Sequence, residues 1–177
     1  MQALTFWKTI TMDQSNLLEE LIRLFAEHGI QYCVIGGQGV NAYVEPLVSL
    51  DLDVVVAVHQ IPHVEELLSR HLAVKRFPHS LNVSLAGSDL RVQIQTDERY
   101  TRFVEHAAPR EVLGMELPVA RLEDVLQGKV WAVQDLQRRG SKRQKDLADI
   151  ARIIEKYPEL RAQVPQEIRS RLFSDSE

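Results

Sequence analysis

The run Leu50-Asp51-Leu52-Asp53-Val54-Val55-Val56-Ala57-Val58 leaves this chain few conformational options. So many stiff β-branched side chains favour an extended backbone, and the run is expected to be a strand. Side chains alternate along a strand, so Asp51 and Asp53 emerge on one face. Two carboxylates this close repel each other, and each must be desolvated or solvated at a cost. A divalent cation would hold such a pair, because hard cations prefer oxygen ligands. The plain alternative is a strand end whose aspartates are simply solvated.

A second element stands just upstream. Gln31 to Ile35 is a short apolar run that ends abruptly at Gly36-Gly37. It reads as a buried strand feeding a short helix through Val40, Ala42 and Tyr43, which Pro46 closes. Two glycines permit dihedrals barred to other residues and let another group approach the backbone closely. The N–H groups at the following helix start suit an anion such as a phosphate. Alone, this element is explained as readily by a tight structural turn.

The remaining pattern sets the fold class. Thr11 and Gln14 resemble a capping box before an amphipathic helix through Leu17, Leu18, Leu21, Ile22, Leu24 and Phe25, stopped by Gly29. Pro62 opens another helix. Leu81 to Leu85 and Leu90 to Thr96 read as strands, and Glu111 to Val119 as a hairpin turned at Gly114. From Leu122 to Leu136 the period is helical, broken at Gly140-Ser141. A further helix runs through Leu147 and Ile154 to Pro158, and a short one follows Pro165. This order predicts an α/β (α+β) fold, a mixed sheet flanked by helices with a helical C-terminal part. Residues 1–120 would form the α/β core and residues 121–177 a helical extension packed on it.

Composition narrows the function classes. A net charge of -4 gives no global argument for nucleic-acid binding, yet Arg138, Arg139, Lys142, Arg143 and Lys145 crowd into one stretch. That cluster fits either helix-end charge complementing a dipole or a surface for triphosphate or RNA backbone. Cys33 is alone, which excludes an intramolecular disulfide. Six histidines form no convincing ligand pair. Asp146 and Asp149, three apart on one helix face, are expected to serve a helix-start charge effect or to pair with Lys142 or Lys145 rather than to bind a metal. Met1 to Ile10 lacks the form of a signal peptide, and no apolar run approaches the ~20 residues of a membrane span. A cytoplasmic location is expected.

Taken together, Gly36-Gly37-Gln38-Gly39-Val40-Asn41-Ala42-Tyr43 and Ser49-Leu50-Asp51-Leu52-Asp53 resemble the signature of the nucleotidyltransferase superfamily. The similarity is nearest to its AbiEii-like branch of bacterial minimal nucleotidyltransferases, which includes toxins of toxin–antitoxin systems. Leu122-Glu123-Asp124-Val125 to Lys129-Val130-Trp131-Ala132 resembles that branch's "Leu-Glu-Asp-Leu … Lys … Ala" helix. Arg143-Gln144-Lys145-Asp146-Leu147-Ala148-Asp149 resembles its "Arg-x-Lys-Asp-x-x-Asp" helix start. The resemblance implies that Asp51 and Asp53 are catalytic and hold Mg²⁺ or Mn²⁺. It places Gly36, Gly37, Ser49, Lys129 and Lys145 around the nucleotide phosphates. The implied reaction moves an NMP from an NTP to a hydroxyl of RNA, such as tRNA, or of a partner protein.

Two positions depart from the family pattern. Leu47 stands where an Arg often precedes the first Asp by four residues. Gln93, in Leu90-Arg91-Val92-Gln93, stands where a third Asp is usual. A glutamine cannot act as a base and is a poor metal ligand beside a carboxylate. Asp89 and Asp97 are each four strand residues from Gln93, about 13 Å away. The sequence therefore keeps open an alternative: a nucleotide-binding or partner-binding module of this fold without catalysis.

Overall fold

The computed structural model describes residues 16–173 together with Thr5, Phe6 and Thr9; the Thr11–Gln14 capping box lies outside them. Helix α1 (Leu17–Glu27) buries Leu17, Leu18, Leu21, Leu24 and Phe25, the face its period marks. Gly29 follows at φ 60, the left-handed conformation a helix stop needs. Strand β1 (Tyr32–Ile35), helix α2 (Gly36–Asn41) and strand β2 (Asp51–Val56) come next. Helix α3 (Ile61–Ser69) carries Pro62 in its first turn. The hairpin β3 (Ala73–Phe77) and β4 (Ser80–Ser84) leads to β5 (Arg91–Gln95) and the short α4 (Thr101–Glu105). A second hairpin, β6 (Ala108–Val112) and β7 (Met115–Val119), turns on Leu113 and Gly114, both at positive φ. Helices α5 (Leu122–Gln134), α6 (Gly140–Lys156) and α7 (Gln166–Leu172) complete the order.

Among the described residues, seven strands join one sheet in the order β3-β4-β5-β2-β1-β7-β6. Strand β2 is central, antiparallel to β1 and parallel to β5, and β1 is parallel to β7. The sheet is therefore mixed and flanked by helices, as the element order predicts. Leu52, Val54, Val55 and Val56 are buried in its middle, which explains why β2 reads as a nearly continuous apolar run. No helix among the described residues is long and apolar enough to cross a membrane.

Three details differ from expectation, each for a local reason. Helix α2 begins at Gly36 itself and ends at Asn41, so Ala42 and Tyr43 fall in the turn beyond it. Gly140 and Ser141 open α6 instead of breaking a helix; the break is upstream, where Asp135 turns extended and its Oδ1 accepts the Gln137 N–H at 2.9 Å. Strand β3 has no apolar signature because it sits at the sheet edge with most residues exposed. Backbone pairing with β4 holds it there.

The burial pattern yields a graded stability test. Leu21 is fully buried, whereas Val48 is 61% exposed. Leu21→Ala should cost about 2–5 kcal/mol in urea unfolding, and Val48→Ala should stay within about 0.5 kcal/mol.

Candidate active site

Ile35, the last residue of β1, pairs with Asp53 on β2. The chain then has to turn away without touching the Asp53 carboxylate. Gly36 does this at φ 64. A Cβ there would come within 2.9 Å of Asp53 Cβ and Cγ, and closer still to Oδ2. Glycine is thus required twice, for its dihedral and for the room it leaves. Gly37 is under no such demand, since a Cβ would meet only Ser49 Oγ at 3.9 Å. Gly39 instead serves packing, with its Cβ position 3.3 Å from Val125 of α5.

Asp51 and Asp53 both line a cleft of about 680 Å³ whose floor is this face of the sheet. Asp51 is held by two cations: Arg91 Nε lies 2.9 Å from Oδ1 and Lys142 Nζ 3.2 Å from Oδ2. No described residue forms an ion pair with Asp53. Desolvation raises its carboxyl above the ordinary value of 3.8; Lys129 pulls it back and Asp51 pushes it further up. Gln93 stands beside Asp53 in the parallel β2–β5 register, so the departure noted in the sequence falls at the site itself. Asp97 is occupied elsewhere, bound to Arg99 at 2.7 Å.

The C-terminal helices close over this floor. Arg138, Arg139 and Lys142 line the cleft. Lys145 Nζ lies 3.4 Å from Ser49 Oγ, which also accepts from the Asp51 N–H at 3.3 Å. Ser49 is further fixed by the buried Gln38, whose Nε2 donates to the Ser49 carbonyl at 3.1 Å. Thus Gly36, Ser49, Asp51, Asp53 and Lys145 converge, although Lys145 and Ser49 are far apart in sequence. The basic cluster divides by role. Arg143 donates to the carbonyls of Asp135, Leu136 and Arg138, closing the turn between helices.

Lys129 also lines the cleft, but its ammonium is buried between Asp146 at 2.9 Å and Asp149 at 2.6 Å. Burial pulls its pKa down, yet Asp149 and Asp146 more than reverse this, so it is raised. The expectation that Asp146 and Asp149 pair with Lys142 or Lys145 is therefore corrected. Their partners are Lys129 and, respectively, Arg138 and Arg152. Helix-surface spacing finds only sequence neighbours, whereas Lys129 reaches across from α5. Arg91 is the functional candidate that sequence reading passed over. It alternates with Val92 like any exposed strand residue, and only the register with Asp51 reveals it.

Two variants test these constraints. At neutral pH Asp53 opposes folding, because its folded pKa lies above its unfolded value. Its stabilising contribution is present below about 3.8 and is lost as pH rises through the folded value. Asp53→Asn in EDTA should raise the melting temperature at pH 7, with the gain fading as pH falls toward 3.8. Lys129→Ala leaves each of two buried carboxylates with one cation instead of two and should cost about 3–5 kcal/mol by chemical denaturation.

The fold that carries this cleft has counterparts among solved structures. The antibiotic-resistance factor ANT(2'')-Ia matches with a TM-score of 0.66 at 10% identity, covering 91% of this chain and 94% of that one. Its complex with adenylyl-2''-tobramycin matches at 0.58 and 14% identity, covering 90% and 99%. A nucleotidyltransferase candidate from Thermotoga maritima matches at 0.51 and 16% identity, covering 83% and 89%. At these identities the likeness shows the fold. No curated protein sequence matches significantly. The model of the family described as "Nucleotidyl transferase AbiEii toxin, Type IV TA system" matches residues 52–175, well over half of the chain, and this protein belongs to that nucleotidyltransferase family.

Proposed function

We propose that this chain is a metal-dependent nucleotidyltransferase that moves an NMP from an NTP to a hydroxyl of RNA, such as tRNA, or of a partner protein. It would act in the cytoplasm as a toxin–antitoxin component. One observation carries the reading: two acids on the sheet face meet Arg138, Arg139 and Lys142 across a single cleft. Here they face a space large enough for a triphosphate.

The residues present fit a divalent cation. Asp53 is a desolvated carboxylate without an ion-pair partner among the described residues, and Asp51 shares its face. Mg²⁺ is commonly held by one or two carboxylates plus substrate phosphates. Asp51 and Asp53 would hold it, and the ion would neutralise charge developing on the transferred phosphoryl group. Lys142, released from Asp51, would follow the phosphates, and Lys145 with Ser49 would fix their far side. The acceptor oxygen bonds to the α-phosphorus as the bond to the β-phosphate's bridging oxygen breaks. Pyrophosphate leaves with that electron pair, and the hydroxyl proton passes to water. In-line displacement at phosphorus draws much of its catalysis from positioning and charge stabilisation, which suits a site with Gln93 beside Asp53.

Gln93 also favours a second reading, a nucleotide-binding or partner-binding module without catalysis. Incubating the protein with labelled NTPs, Mg²⁺ or Mn²⁺, and total tRNA or a partner protein separates the two. Label transfer should occur and should fall by at least about 10²-fold in Asp51→Ala/Asp53→Ala. Nucleotide binding with no transfer under any metal would establish the module instead.

A further inference from the structure

The register of β2, β5, β4 and β3 lays side chains in rows along the cleft floor. One row runs Asp53, Gln93, Asn82, Lys75. Beside it, Asp51 pairs with Arg91. Holding two metal ions about 3.5–4 Å apart asks for more acidic ligands than two aspartates, and the strand positions beside Asp51 and Asp53 are where they would stand. Neither position supplies one here. Next to Asp53 stands the neutral amide of Gln93, and next to Asp51 stands a guanidinium. Both oxygens of Asp51 already face cations, Arg91 at 2.9 Å and Lys142 at 3.2 Å. Among the described residues no cluster of three or more His, Cys, Asp or Glu could hold a metal.

Resting on the nucleotidyltransferase reading, we infer that this site works with one divalent cation, and that Arg91 takes the electrostatic place of a second. The two cations at Asp51 are not equivalent. A guanidinium cannot shed its proton and keeps its charge at any working pH, and its planar fork matches a carboxylate. Arg91 also stands on β5, an interior strand, in register with Asp51 and two residues from Gln93. Lys142 is a flexible ammonium at the start of α6, free to leave with the phosphates. Arg91 therefore stays against Asp51 while one ion arrives with the triphosphate. Gln93 adds no charge that would draw another ion to the flank of Asp53. Together Arg91 and Gln93 set the metal count of the site.

The test reads the metal directly. Wild type, Arg91→Ala, Gln93→Asp and Arg91→Ala/Gln93→Asp are each saturated with Mn²⁺ and a non-hydrolysable ATP analogue. Bound nucleotide, bound Mn²⁺ and the electron paramagnetic resonance spectrum are measured on the same samples. Wild type should hold one Mn²⁺ per nucleotide with an uncoupled six-line spectrum. The double variant should hold two, broadened by dipolar coupling at about 4 Å. Coupled ions in wild type would overturn the inference while leaving the nucleotidyltransferase reading intact. So would a single uncoupled ion in the double variant, since Arg91 and Gln93 would then not be what excludes the second. Failure of wild type to bind nucleotide at all would remove the parent reading and this inference with it.

Discussion

The ammonium of Lys129, buried between Asp146 and Asp149, joins α5 to α6 through charges that have left water. Burying such groups is tolerable only if every charge finds a partner, and the surrounding residues supply them. Arg138 takes the second oxygen of Asp146, and Arg152 takes the second oxygen of Asp149. Arg152 then reaches on to Asn41 Oδ1 at 3.1 Å, tying α6 to the end of α2. Lys156 donates to the Tyr43 carbonyl at 2.6 Å, repeating that tie further along the helix. The position of α6 over the sheet is set by this network, and with it the placement of Lys142 on Asp51 and of Lys145 on Ser49.

Below the network the constraints are steric. The turn at Gly36 and the carboxylate of Asp53 occupy adjoining space, so glycine and aspartate each define what the other position accepts. Asp53 is held where desolvation disfavours its charge. A structural role gives no reason to keep an ionisable group there. A bound cation does, because it would relieve a penalty that the folded protein otherwise carries, and perturbed carboxylates of this kind cluster at functional sites. Stability is thus spent at one strand position while the buried ion pairs above hold the cleft in shape.

Much of this was legible in the chain. β2 was readable from its β-branched run and α1 from its period, because both bury a full face against the core. The pairing of Gly36-Gly37 with Asp51 and Asp53 was readable because strand alternation and glycine chemistry act locally. Strand β3 was not, since an exposed edge strand is held by backbone hydrogen bonds that leave no trace in side-chain pattern. The partners of Asp146 and Asp149 were misjudged for a related reason. Spacing along one helix identifies neighbours on that helix, and Lys129 comes from another. Arg91 escaped notice because its meaning lies in which residue of β2 it faces. Gln93 was the reverse case: its departure was visible in sequence, and the register places it next to Asp53.

The most direct measurement is a crystal structure of the protein with a non-hydrolysable NTP and Mn²⁺, located by anomalous scattering. The anomalous peak should lie against Asp51 and Asp53, with the triphosphate running beneath Lys142 toward Lys145 and Ser49. Nucleotide seated outside this cleft, or bound in it with no ion at the two aspartates, would contradict the assignment of the site.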